Sequence, residues 1–363
     1  MSASKRVARP QVNTTGVITI AAVALLTVLC ANYKGFDHKF TLVTPSYNPY
    51  RDFNVFINEL VYKYLGVDSV ATSIYGAGIV EILNKQLGVE GGYYMACYLR
   101  DLLAGTGVYW ITAGIWHYII YNVYGNDLFE KRGRPRPDNS VMIDQMCLAQ
   151  ASLFVYAALP ILSEFMIENN LTRTYYNISD IGGPLYYIIF LVIYIILVEF
   201  GIYWMHRTLH TNKFLYKYIH GLHHKYNMSK TAEDKSQNKR AEDMSLTPWA
   251  SIAFNPLDGI LQASPYTFFL LFVPVHYYTH VFLLFFSGVW ATNIHDAVWG
   301  DSEPIMGAKY HTLHHTHYMY NYGQFFIYCD KIFGTLLVPD DYKLHDGTAY
   351  RTKFFGVDKT RTD

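Results

Sequence analysis

An all-α fold is predicted: a multi-pass bundle of membrane helices with a cytosolic histidine-rich cap that holds a dinuclear metal site. Three observations point there. Of the 363 residues, 51% are hydrophobic and 17% aromatic, and only 16% are charged, against roughly 25% in soluble proteins. Apolar runs long enough to cross a bilayer recur along the chain. The 15 histidines gather into clusters at helical spacing. The same composition excludes a disordered tail, a coiled coil and a collagen-like fibre. With 29 basic and 29 acidic residues the net charge is zero, so no global field recruits nucleic acid. Cys30, Cys97, Cys147 and Cys329 are scattered without a CxxC pair, which excludes a disulfide scaffold and a thiolate zinc knuckle.

Taken in order, residues 17–31 (VITIAAVALLTVLCA) follow Lys5, Arg6 and Arg9 and read as a membrane anchor or a signal peptide. Residues 32–90 are mixed, with Pro45, Pro49 and the amphipathic piece 53–64. Residues 1–90 thus form an N-terminal anchor or signal and interfacial region. Three stronger runs, 102–124, 145–167 and 184–205, are each long enough for a hydrocarbon core of ~30 Å, and 91–205 is assigned to transmembrane helices. The loop 131–136 (KRGRPR) holds four basic residues, and 168–183 holds Arg173 alone. The positive-inside rule places the first in the cytosol, the second outside with its sequons at Asn170 and Asn177, and residue 206 onward in the cytosol again. The insert 228–245 reads as a solvated loop, and 341–363 as a C-terminal tail.

Three histidine clusters lie beyond the last strong span: His206 and His210 as HxxxH, then His220, His223 and His224, then His311, His314 and His315, both as HxxHH. Residues three and four apart share a helix face, so each box offers neighbouring imidazoles, ligands that suit Fe, Zn, Cu and Ni. Eight exceed the three or four ligands of a lone zinc and suggest two ions. His295 is a further candidate ligand. His276 and Glu199 are candidates for a ligand or for a group that orients one: His276 and His280 repeat the HxxxH spacing, and Glu199 precedes His206 by seven residues on the same helix face. His38 and His117 read as packed residues, His345 as solvated, and His317 is left out. A shared metal pair requires all boxes on one side of the membrane. The apolar stretch 266–292, broken by Pro274, is therefore expected to return as a hairpin within the catalytic region 206–340.

Several of these segments resemble the fatty acid hydroxylase/sterol desaturase superfamily of membrane di-iron oxidases, and in particular its sterol C5-desaturases. They are 200–210 (FGIYWMHRTLH), 215–220 (LYKYIH), 255–262 (NPLDGILQ), 293–296 (NIHD), 310–315 (YHTLHH) and 321–324 (NYGQ), with 159–167 (LPILSEFMI) more loosely. The resemblance covers roughly residues 95–339, omitting the N-terminal 90 residues and the insert. It implies removal of two hydrogens across C5–C6 of a Δ7-sterol with O2. It implies electrons from cytochrome b5, reduced in turn by an NAD(P)H reductase, and residence in the endoplasmic reticulum membrane. It also implies two iron ions, with the eight box histidines and His295 as ligands and His276 as a further one. Asn255 stands where the family usually has His, and Glu199 where it commonly has Asp. An amide at 255 can ligate through its oxygen or hold a water.

The chain holds no Ser-His-Asp or Cys-His set to compete, and no GxGxxG before a helix, so electrons must come from another protein. Arg207, Lys213, Lys217 and Lys225 near the boxes suit an acidic heme partner. Three alternatives stay open: a sterol C4-methyl oxidase or lipid hydroxylase on the same scaffold, a histidine-rich metal transporter, and an inactive sterol-binding relative.

Overall fold

The computed structural model of the chain describes residues 14–35, 48–132, 136–227, 246–295 and 303–338. The expected solvated insert 228–245, the tail with His345, His38, and Lys5, Arg6 and Arg9 lie outside the described residues.

Apolar runs close into helices because lipid offers no partner to a free backbone N–H or C=O. The first is α1 (Thr14–Ala31). The amphipathic piece at 53–64 lies in α2 (Pro49–Tyr64), which Asn48 caps by accepting the Arg51 N–H and which Pro49 starts with a fixed φ. A short α3 (Val67–Tyr75) follows, then the long α4 (Ile79–His117), kinked at Gly88 where φ is +75°. A π-helical turn, Tyr118–Val123, continues it. Next come α5 (Asn139–Tyr156), α6 (Ala158–Glu168), α7 (Pro184–Thr211) and α8 (Lys213–Tyr218). After the insert stand α9 (Pro256–Phe268), α10 (Tyr277–Ile294), α11 (Ala308–His317) and α12 (Tyr328–Ile332). Strands β1 (Thr174–Tyr175) and β2 (Val275–His276) form a two-residue parallel pair.

Three of the described helices are long and apolar enough to cross a membrane: Thr14–Ala31, the run Asn139–Glu168 and Pro184–Thr211. The expected span at 102–124 is not among them. It is the second half of α4 and its π turn, and its Thr, Gly, Tyr and His residues dilute the apolar ones. Further back along α4, Arg100 is buried between Asp101 and Glu164 and bonds to both.

The helices give the bundle two ends. At one, Trp249 Nε1 donates to His117 Nδ1 at 3.1 Å and Tyr226 donates to Asp144 at 2.9 Å, joining the ends of α4 and α5 to the histidine boxes. His117 is thus a packed, hydrogen-bonded residue. At the other end β1, which follows α6, pairs with β2. The chain turns there through the 3-10 segment Phe269–Leu271 and Pro274. Consequently α9 leaves the histidine end and α10 returns to it. The reversal runs from 256 to 294 rather than 266 to 292. Its first arm was obscured because PLDGILQASP reads as polar and carries Pro256 and Pro265, yet Pro256 merely occupies the first turn. The two arms pack on α7, α5 and α4.

Candidate metal centre

The first box lies on the last two turns of α7, which put His206 and His210 one above the other. The second is carried not by an α-helix but by a 3-10 segment, His220–Asn227. The third rides on α11, and His295 directly follows α10. All nine histidines are buried, and they sort into two groups. In one, ligand atoms of His206, His210, His220, His224 and His314 lie within 4.8 Å of one another; in the other, those of His223, His295, His311 and His315 do.

The sorting follows one rule in all three boxes. Pairs four apart enter the same group (206 and 210, 220 and 224, 311 and 315), while the third member of each HxxHH box, His223 or His314, turns to the other. Adjacent histidines therefore serve different groups, and the groups touch through His224 and His315, whose ring centroids are 4.5 Å apart.

Backbone and carboxylate partners set the tautomers. His206 Nδ1 donates to Tyr322 O (3.0 Å), His314 Nδ1 to Tyr320 O (2.8 Å), and His295 Nδ1 to Ala291 O (2.6 Å). His220 Nδ1 donates to Asp258 Oδ2 at 2.7 Å, and Gln262 Nε2 holds the other oxygen of that carboxylate at 2.8 Å. Each Nδ1–H so engaged leaves an aprotic Nε2 turned to the group. The Nε2 atoms crowd: His224 lies 3.0 Å from His220 and 3.1 Å from His210, His210 is 3.1 Å from His314, and His311 is 3.1 Å from His295 and 2.9 Å from His315. Buried His206 Nε2 has no hydrogen-bond partner at all. Lone pairs facing each other at these distances repel unless a cation lies between them. Donors ~2.1 Å from a cation stand about 3.0 Å apart at right angles and about 3.4 Å apart in a tetrahedron, so the spacing suits a coordination number above four. Burial, reinforced by neighbouring imidazoles, pushes His223, His224, His311, His314 and His315 well below the ordinary histidine pKa, and burial alone brings His295 to about 4. These rings are neutral near pH 7, as metal ligation requires.

The other three candidates do not reach the groups. His276 sits in β2 at the turn, packed against Tyr175, Tyr187 and Tyr278; it is separated from His295 by the 18 residues of α10, ~27 Å of helix. Asn255 is the N-cap of α9: its Oδ1 accepts the Leu257 N–H at 3.0 Å and its Nδ2 donates to Tyr218 O at 3.2 Å, so both ends of the amide are engaged. Glu199 meets no imidazole. Its Oε2 accepts the backbone N–H groups of Phe325 and Phe326 at 3.0 and 3.1 Å, holding the loop that presents Tyr320 O and Tyr322 O. Asp330 grips the same loop through the N–H groups of Tyr322 and Gly323, both at 2.8 Å. His280 bonds to Tyr194 through Nδ1 at 3.1 Å.

Two orienting groups escaped the sequence reading of ligands: Asp258 with Gln262, and the carbonyls at 320 and 322. An aspartate two residues after a helix-starting proline was a usable signal for the first. A backbone carbonyl carries none. Beside the second group opens a cavity of about 100 Å³ lined by His206, His223, His295 and His311 together with Ile202, Phe254, Tyr266 and Ile294.

Apolar helices and two buried imidazole groups define a helical membrane protein equipped to hold metal. Residues 191–335 match the fatty acid hydroxylase family. A Delta(7)-sterol-C5(6)-desaturase of Nicotiana tabacum is 44% identical over 242 residues, 67% of this chain and 83% of its own length. A Delta(7)-sterol 5(6)-desaturase of Gibberella zeae is 31% identical over 67% of this chain and 66% of its own. One from Schizosaccharomyces pombe is 37% identical over 46% of this chain and 50% of its own. The chain therefore belongs to the fatty acid hydroxylase family and, within it, groups with the sterol C5-desaturases. No solved structure matches it.

Proposed function

We propose that this chain introduces the C5–C6 double bond into a Δ7-sterol, consuming O2, two electrons and two protons and releasing two waters. One observation carries the reading: two groups of buried, neutral imidazoles border an apolar cavity in a chain 44% identical to a Delta(7)-sterol-C5(6)-desaturase. Two iron ions are the proposed occupants, one per group. When bound they supply the oxidising power needed to break unactivated C–H bonds.

The residues contribute the rest. His206, His210, His220, His224 and His314 hold one ion; His223, His295, His311 and His315 hold the other. Asp258 and the carbonyls of Ala291, Tyr320 and Tyr322 fix ring orientation. The cavity walls Ile202, Phe254, Tyr266 and Ile294 are apolar or aromatic, the surface that a rigid, flat, apolar substrate requires.

The bundle is read as multi-pass in the endoplasmic reticulum membrane, with the histidine end cytosolic. The basic loop 131–136 joins α4 and α5 at that end, and the sequon-bearing segment after α6 lies at the opposite one, as the positive-inside rule requires. Electrons are assigned to cytochrome b5, docking near Lys213, Lys217 and Lys225, which are exposed around the second box. Expression in cells lacking C5 desaturation, followed by mass spectrometry of their sterols, tests the proposal. A Δ5,7-diene is expected; an oxidised C4-methyl or hydroxylated product overturns it in favour of another oxidation on this scaffold.

A further inference from the structure

Glycine is unfavourable inside a helix because it gives up the most backbone freedom and packs nothing. Two glycines inside the facing helices α4 and α10 nevertheless border one hollow. A Cβ on Gly288 would meet nothing within 4 Å, and one on Gly105 would meet only Leu153 Cδ2, at 3.5 Å. Neither glycine is there because a neighbour presses on it. Both line a cavity of about 60 Å³ whose other walls include Val108, Leu153, Ala157 and Leu284.

This second cavity adjoins the one beside the histidines: Tyr156, Ile252 and Gly288 line both. Gly288 lies seven residues before His295 on α10 and Leu284 eleven before it, so the corridor extends from ~10 to ~16 Å away from the imidazoles along the helix. Resting on the function proposed above, we infer that this corridor receives the alkyl tail of the sterol, and that Gly288 is the specificity-determining residue that keeps the passage open. The rigid ring system leaves no other assignment of ends. The carbon that bears the ring-A hydroxyl is separated from C5 by a single carbon, so with C5 and C6 at the histidines the hydroxyl stays near them. Only the tail, at the opposite pole of the molecule, reaches Leu284. The walls agree with this: apart from Asp101 and the rings of Tyr109 and Tyr156, they are apolar or glycine.

The test compares two probes, a Δ7-sterol with its full tail and the same sterol truncated at C17, on wild type, Gly288→Leu and Gly105→Leu. The leucine at 288 enters open space and closes the passage; the one at 105 fills the corridor from the facing helix. In each variant the tailed-to-truncated ratio of kcat/KM is expected to fall at least about tenfold. An unchanged ratio in both variants, or equal loss of both probes in both, overturns the inference. A wild-type chain that converts neither probe overturns the desaturase reading itself, which separates the two failures.

Discussion

Nine imidazoles converge in two groups that could each hold an ion, and what would fit them as ligands is the other nitrogen of the ring. Where Nδ1–H is given to a carbonyl or a carboxylate, Nε2 is left as a lone pair and the ring cannot swing. His220 has the strongest such partner, a fully buried Asp258 held in turn by Gln262. Asp258→Asn preserves the shape of the side chain and removes its charge. It is expected to weaken metal retention by ~10–100-fold while the chain still folds, read by chelator titration of the purified protein. Retention equal to wild type would show that the carboxylate does not tune the site. The candidates that lie outside the two imidazole groups are held there by equally local contacts. Asn255 is occupied as a cap, and Glu199 spends one oxygen on two backbone N–H groups. Spacing can place a residue on a helix face; it does not say which backbone group will claim the side chain first.

At the level of elements, the reversal between α9 and α10 brings His295 to the boxes, and it depends on how tightly α9 can lie on α7. Gly201 makes that possible. A Cβ there would stand 2.8 Å from Pro265 Cβ, 3.0 Å from Pro265 Cγ and 3.1 Å from Phe269 Cε2, and both of those rings are buried. Gly201→Val is expected to cost about 1–3 kcal/mol through overpacking, measured as a lower thermal midpoint in detergent; an unchanged midpoint would refute the close contact. The need for a reversal could be argued from sequence, because boxes on both sides of 266–292 must meet and Pro274 breaks the run. Its length could not. Pro265 lies inside α9, where sequence rules place a boundary, and tertiary packing overrides that local preference. The same override hides the second box, whose HxxHH spacing suggests an α-helix but which winds as 3-10.

For the whole molecule, the histidine clusters and three apolar runs were legible because they depend only on residue type and period. The long polar-interrupted α4 was not, since burial of Arg100 with Asp101 and Glu164 is a property of the assembled bundle. Neither were the two cavities, which exist only between helices. Everything functional rests on the two imidazole groups holding two cations side by side. The most direct measurement is the iron content of the folded, iron-supplied chain, compared with His220→Ala in one group and His311→Ala in the other. Two ions per wild-type chain, falling towards one in each variant, is the predicted result. A correctly folded wild-type chain that binds a single ion or none would contradict the account.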